Sequence, residues 1–155
     1  MRSRLRGARS ITPIVIGLTV LFLPCDLGAQ RRERFSARLT SMPVDPVTAR
    51  TTTGLGTATA VLEGNTLTIT GTFDGMNSPA TLAHVHRAAK GLRGPKILDL
   101  TVTKATSGTI QGTFKLTPMQ IEELDKDRWY LQIDTEKNPE GQLRGWLINP
   151  GPHSR

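Results

Sequence analysis

The sequence predicts an all-β domain, an Ig-like or Greek-key antiparallel β-sandwich of about eight strands with one short helix. Three observations carry that expectation. Hydrophobic residues recur at every second position in a series of short segments, often with threonine between them, which is the pattern of half-buried antiparallel strands. Glycine, asparagine, aspartate and proline punctuate the chain about every ten residues, as the turns of a sandwich or barrel do. Only one stretch, residues 116–126, carries the start signals of a helix.

The first 29 residues stand apart from that pattern. Arg2, Arg4, Arg6 and Arg9 make a positive start, residues 11–23 are mostly apolar, and Pro24 ends the run. Leu27-Gly28-Ala29 then offers a small-residue cleavage site before Gln30, so residues 1–29 read as a secretory signal peptide. The run is interrupted by Thr12, Pro13, Gly17 and Thr19, and it falls short of the roughly 20 apolar residues a membrane span needs. No stable span is expected after cleavage, and the expected location is secreted or periplasmic. The only cysteine, Cys25, would leave with this segment, giving a cysteine-free mature domain held together by packing alone. Lipid attachment at Cys25 is disfavoured, because Phe22-Leu23-Pro24 lacks the small residue a lipoprotein signal has. Cleavage would also remove four arginines and one aspartate, lowering the formal charge from +7 to +4. Few aromatics accompany that charge, so stacking platforms for nucleic acid are not expected.

In the expected domain, residues 30–34 read as a disordered lead-in and residues 35–40 as a first strand. Residues 41–53 hold Pro43, Pro46 and a run of threonines, and read as an irregular connection. Ala58, Ala60 and Leu62 alternate with Thr57, Thr59 and Val61 up to Glu63-Gly64-Asn65; Leu67, Ile69, Gly71 and Phe73 alternate with threonines beyond it. That pair is a hairpin. In the next strand, 81–87, Ala83 and Val85 point one way and His84 and His86 the other. A basic, glycine-punctuated loop, residues 88–96, follows. Leu98, Leu100 and Val102 mark a strand, and so do Ile110, Gly112 and Phe114 after a turn at 106–108.

Thr117 then suits a helix N-cap, Pro118 the first helical position and Gln120 a capping box, with Leu116 placed to staple onto Ile121. Two strands close the domain. Trp129, Leu131 and Ile133 share one face of residues 128–135, opposite Tyr130, Gln132 and Asp134. Asn138-Pro139-Glu140-Gly141 forms a turn, and Leu143, Gly145 and Leu147 oppose Gln142, Arg144 and Trp146 in residues 142–148. Residues 149–155 are a polar tail.

Several of these segments, in this order, resemble the chordin-type (CHRD) domain family. They are Pro43-Val44-Asp45-Pro46-Val47 with Thr53-Gly54, the Ala83-His84-Val85-His86 strand, and the glycine loop 91–95. Leu116-Thr117-Pro118-Met119-Gln120, residues 129–135 and residues 141–147 complete the set, so the resemblance spans residues 35–148. It implies an exported β-sandwich of bacterial type that acts as a binding or interaction module, with no general catalytic activity. This chain has Asp134 where the family commonly has histidine, and its loop carries additional cations. The His-Val-His strand also faintly resembles copper-zinc superoxide dismutase, which needs a larger ligand set than this chain supplies.

Shared parity puts Gln132, Asp134 and Arg144 on one face, because a register shift that preserves the core moves by two residues. If the histidine strand adds its polar face to the same side, His84, His86, Asp134 and Arg144 converge. The candidate ligand-binding residues are therefore His84, His86, Arg87, Lys90, Arg93, Asp134 and Arg144, with an unknown extracytoplasmic protein or an anionic ligand as the expected partner. Glycines free backbone N–H groups to approach an anion, and the loop cations would draw one in. Two alternatives stay open at the histidines. They are zinc or copper ligands together with Asp134, or they belong to a hydrogen-bonded polar face in which Asp134 pairs with Arg144. No nucleophile–base pair or catalytic carboxylate pair stands out, so no catalysis is expected.

Overall fold

The computed structural model describes residues 32–42 and 52–151; the expected signal segment and its cleavage site lie outside the described residues. The strands are β1 (Arg32–Ser41), β2 (Leu55–Glu63), β3 (Thr66–Asp74), β4 (Ala80–Arg87), β5 (Lys96–Val102), β6 (Gly108–Lys115), β7 (Trp129–Thr135) and β8 (Leu143–Trp146), with helix α1 (Pro118–Asp125) between β6 and β7. All pairings are antiparallel, in the order β1-β2-β3-β6-β5-β4-β7-β8, and β8 returns to β1. The expected sandwich is therefore a closed barrel. Strands β4, β5 and β6 form a meander, and β7 comes back through α1 to lie beside β4, which is a Greek key.

Alternation cannot separate these two architectures, since both bury one face of every strand. Closure is decided by two short seams. Strands β5 and β6 pair only through Thr101↔Gln111 and Val102↔Ile110, and β8 meets β1 through Thr40↔Arg144 and Ser41↔Leu143, with a bridge at Ser36↔Ile148. Gly145 permits the second seam. A Cβ there would sit 2.3 Å from the carbonyl oxygen of Arg38, so any larger residue would push β1 away. Closing the sheet leaves no unpaired end strand among the described residues; the edge that stays unpaired lies along these two seams, beyond their few residue pairs.

Inside the barrel, Phe35, Leu39, Leu62, Leu67, Ile69, Val85, Leu131, Ile133 and Leu143 are fully buried, and Trp129 and, from α1, Leu124 belong to the same core. Each lies on the face that its alternation implies. Strand β1 begins earlier than expected, because β2 and β3 form a long hairpin that offers partners to Arg32, Glu33 and Arg34. Arg32 also pairs with Glu63 at 3.0 Å, so this part of the expected lead-in is strand.

The helix forms for the reasons its sequence suggests. Thr117 Oγ1 accepts from the Gln120 N–H at 3.3 Å, and Gln120 Oε1 accepts from the Thr117 N–H at 2.9 Å. Its far end closes as a Schellman motif. The Arg128 N–H donates to Glu123 O and the Asp127 N–H to Leu124 O, with Asp127 at φ 53°. An aspartate tolerates that left-handed position because its carboxylate is engaged, by Lys90 Nζ at 3.2 Å and the Asn149 N–H at 3.3 Å.

Candidate functional site

Strand β4 turns Ala83 and Val85 into the core and presents His84 and His86 on the outer surface of the barrel wall. Across the ladder, His84 lies opposite Gln132 of β7 and Asp99 of β5, while His86 lies opposite Tyr130. One strand further, Gln132 faces Arg144 and Tyr130 faces Trp146 of β8. Although this is the outside of the barrel, His84, Tyr130, Gln132, Asp134 and Arg144 are all buried.

Those buried polar groups satisfy one another. His84 Nδ1 lies 3.0 Å from Asp99 Oδ1, and its Nε2 lies 3.2 Å from Asp134 Oδ2. A neutral imidazole donates from only one nitrogen, so with both carboxylates ionised the two bonds form together only when both nitrogens carry protons. Gln132 Nε2 donates to Asp134 Oδ1 at 2.8 Å, and Gln132 Oε1 accepts from Arg144 Nε at 3.2 Å and Nη2 at 2.6 Å. The chain of contacts is therefore Asp99–His84–Asp134–Gln132–Arg144. The expected pairing of Asp134 with Arg144 is corrected: Gln132 stands between them, because β7 places Gln132, and not Asp134, directly opposite Arg144.

His86 joins from the side. Its Nδ1–H donates to Gly94 O at 2.9 Å, its ring stacks on Tyr130 at 4.9 Å and 8°, and it meets the His84 ring edge-on at 5.8 Å. Arg144 lies 4.7 Å from the Tyr130 ring centre, a cation–π contact. Burial, ahead of every other influence, lowers the His86 pKa below its ordinary 6.5; the bond to the Gly94 carbonyl pulls the other way. Burial likewise lowers the pKa of Arg144. The exposed Asp99 carboxyl is lowered first by its bond from Lys96, then by His84.

The loop after β4 is clamped onto this surface. Arg87 N–H donates to Pro95 O, Ala88 N–H to Arg128 O, and Gly94 N–H to the Tyr130 hydroxyl at 3.3 Å. Gly94 is required by that close approach, since a Cβ would fall 1.8 Å from Arg87 O. The loop cations do not converge on the histidines. Arg87 reaches Glu123 at 3.0 Å, Lys90 reaches Asp127 at 3.2 Å, Arg93 reaches Glu140 at 3.7 Å and Lys96 reaches Asp99 at 2.8 Å. Of the expected ligand-binding residues, then, the fold links His84, Asp134 and Arg144 in one network with His86 beside it. Arg87, Lys90 and Arg93 are spread over the loop with acidic partners of their own.

Sequence reasoning did not assign Asp99, Tyr130 or Gln132 to the site. Their parity was readable; the β4–β7 and β4–β5 registers that bring them to the histidines were not. It also missed a second buried polar knot at the β7–β8 turn. Gln142 there is fully buried, donates to Thr53 O at 2.5 Å and Asn77 Oδ1 at 3.1 Å, and accepts from Thr135 at 3.3 Å and from Asn138. A separate shallow trough between the threonine rows of β2, β3 and β6 contains no titratable group.

The fold and this surface together define a Greek-key β-barrel domain with a consolidated polar wall and one clamped loop. A family model described as the CHRD domain matches residues 35–147, and the chain belongs to the CHRD domain family. Membership points to a domain of binding or interaction type. No curated protein and no solved structure matches the chain.

Proposed function

We propose that the chain is an exported, non-catalytic interaction module that recognises a protein partner through the tip of the loop between β4 and β5. The observation that carries this reading is Leu92, 61% exposed at the tip of a loop whose two ends are fixed by hydrogen bonds to β7 and the α1–β7 turn. A rigid scaffold presenting an exposed loop is the usual arrangement of binding surfaces. Little ordering entropy would be lost when such a loop is engaged. A protein partner is favoured over a small anion, because Arg87, Lys90, Arg93 and Lys96 already have carboxylate partners. Export is supported by the layout of residues 1–29 alone.

The experiment is a capture of exported proteins from the native compartment on immobilised mature domain, compared with the Leu92→Asp/Arg93→Glu variant. A partner retained by the wild type and released by the correctly folded variant supports the reading. Equal retention by both places recognition elsewhere on the barrel and overturns the loop assignment. N-terminal sequencing of the exported protein should begin at Gln30; a chain starting at Met1 contradicts the processing.

A further inference from the structure

His84 and His86 are held in the way that imidazole ligands of metals are held. A ligating histidine characteristically donates its other ring nitrogen to a carboxylate or a backbone carbonyl, which fixes the tautomer and aims the free nitrogen. Here Nδ1 of His84 is held by Asp99 at 3.0 Å and Nδ1 of His86 by Gly94 O at 2.9 Å. Nε2 is thus the remaining nitrogen of each ring. Nε2 of His84 stands 3.2 Å from Asp134 Oδ2. Two ligands about 2.0–2.1 Å from one tetrahedral ion stand roughly 3.3 Å apart, so this pair already has the spacing of neighbouring ligands. Nε2 of His86 is buried and accepts no hydrogen bond from any described group. With its proton on Nδ1, that nitrogen offers a lone pair, and a buried acceptor without a partner calls for an explanation.

We propose that His84 Nε2, His86 Nε2 and Asp134 Oδ2 bind one zinc ion, with the fourth position open. Two imidazoles and a carboxylate suit zinc in ligand type and number. The described residues hold no group of three His, Cys, Asp or Glu side chains already gathered around one point, so binding draws the His86 ring towards the His84–Asp134 pair. The exchange balances: the proton between His84 Nε2 and Asp134 Oδ2 passes to solvent, and zinc takes its place. Arg144 opposes a cation here, but its Nε and Nη2 donate to Gln132, which leaves Oδ2 of Asp134 to His84. This inference is independent of the loop proposed above as the recognition surface.

The test is calorimetric titration of zinc chloride into chelator-stripped mature domain carrying His153→Gln, so that the tail histidine does not contribute. One ion per chain should bind, with release of about one proton, read from buffers of different ionisation enthalpy. His86→Gln should weaken binding by more than about tenfold, and Asp99→Ala, which removes the bond that positions the His84 ring along with an exposed contact to Lys96, by about 10–100-fold. Leu92→Asp should bind zinc as the parent does, which separates this site from the loop. Circular dichroism establishes that each variant is folded, and imidazole nitrogen NMR reports whether Nε2 shifts on titration. The absence of saturable binding, or equal affinity in the parent and folded His86→Gln, overturns the proposal.

Discussion

Gln132 and Arg144 face each other across the last hairpin, and the Gln132 carbonyl oxygen accepts from both Nε and Nη2 of the guanidinium. A neutral side chain thus anchors a buried cation, while its amide N–H group holds the carboxylate of Asp134. The amide acts as an insulated bridge between two charges on neighbouring strands.

That bridge predicts an unequal pair of mutant cycles. Gln132→Ala removes the acceptor of a buried charged donor and should cost about 1.5–3 kcal/mol. A double-mutant cycle of Gln132→Ala with Arg144→Ala, followed by urea unfolding, should show clear coupling. The Asp134→Ala with Arg144→Ala cycle should show less, because no direct bond joins those two side chains. The reverse ranking would mean that the ion pair, and not the bridge, organises the wall.

A second expectation concerns pH, in chelator-treated protein. The folded His86 ring has a lowered pKa, with burial as the leading cause. As pH falls below about 6.5 the unfolded ring takes up a proton before the folded one does. Unfolding therefore binds a proton in that window. Stability contributed by neutral His86 is complete above about pH 6.5 and is lost as pH falls through the lowered folded value. Urea midpoints between about pH 7.5 and 5 should decline less steeply in His86→Gln than in the wild type. Identical slopes would remove His86 as the source.

The third expectation lies at the β7–β8 turn. Gln142→Leu keeps the bulk but strips the amide from Thr53 O, Asn77, Thr135 and Asn138. Each buried group left without a partner costs about 1–3 kcal/mol, so this variant should be among the most damaging single changes outside the apolar core. Hydrogen exchange should report faster opening of the segment around Thr53 as well as of the turn. A change confined to the turn itself would mean that Gln142 does not tie the two together.

Much of the barrel was legible because its signals are local. Period-two alternation assigned Ala83, Val85, Leu131, Ile133 and Leu143 to the core side, and all five are buried there. Thr117, Pro118 and Gln120 announced a helix start that depends only on neighbouring backbone, and it is present with both capping bonds. The turn at residues 138–141 was equally self-contained, with Gly141 N–H donating to Asn138 O at 3.2 Å.

The tertiary structure alone decided what depends on the alignment of one strand with another. Parity placed His84, Gln132, Asp134 and Arg144 on outer faces, but every register that preserves parity satisfies the core equally well. Only the observed register puts Gln132 opposite both His84 and Arg144, and so turns an expected ion pair into a bridge. Closure was hidden for the same reason. A sandwich and a barrel bury the same side of each strand, and the difference rests on the few residue pairs at the β5–β6 and β8–β1 seams. Sequence determined which way each side chain points, because that is fixed by covalent geometry along the strand; which side chains meet is a long-range property of packing.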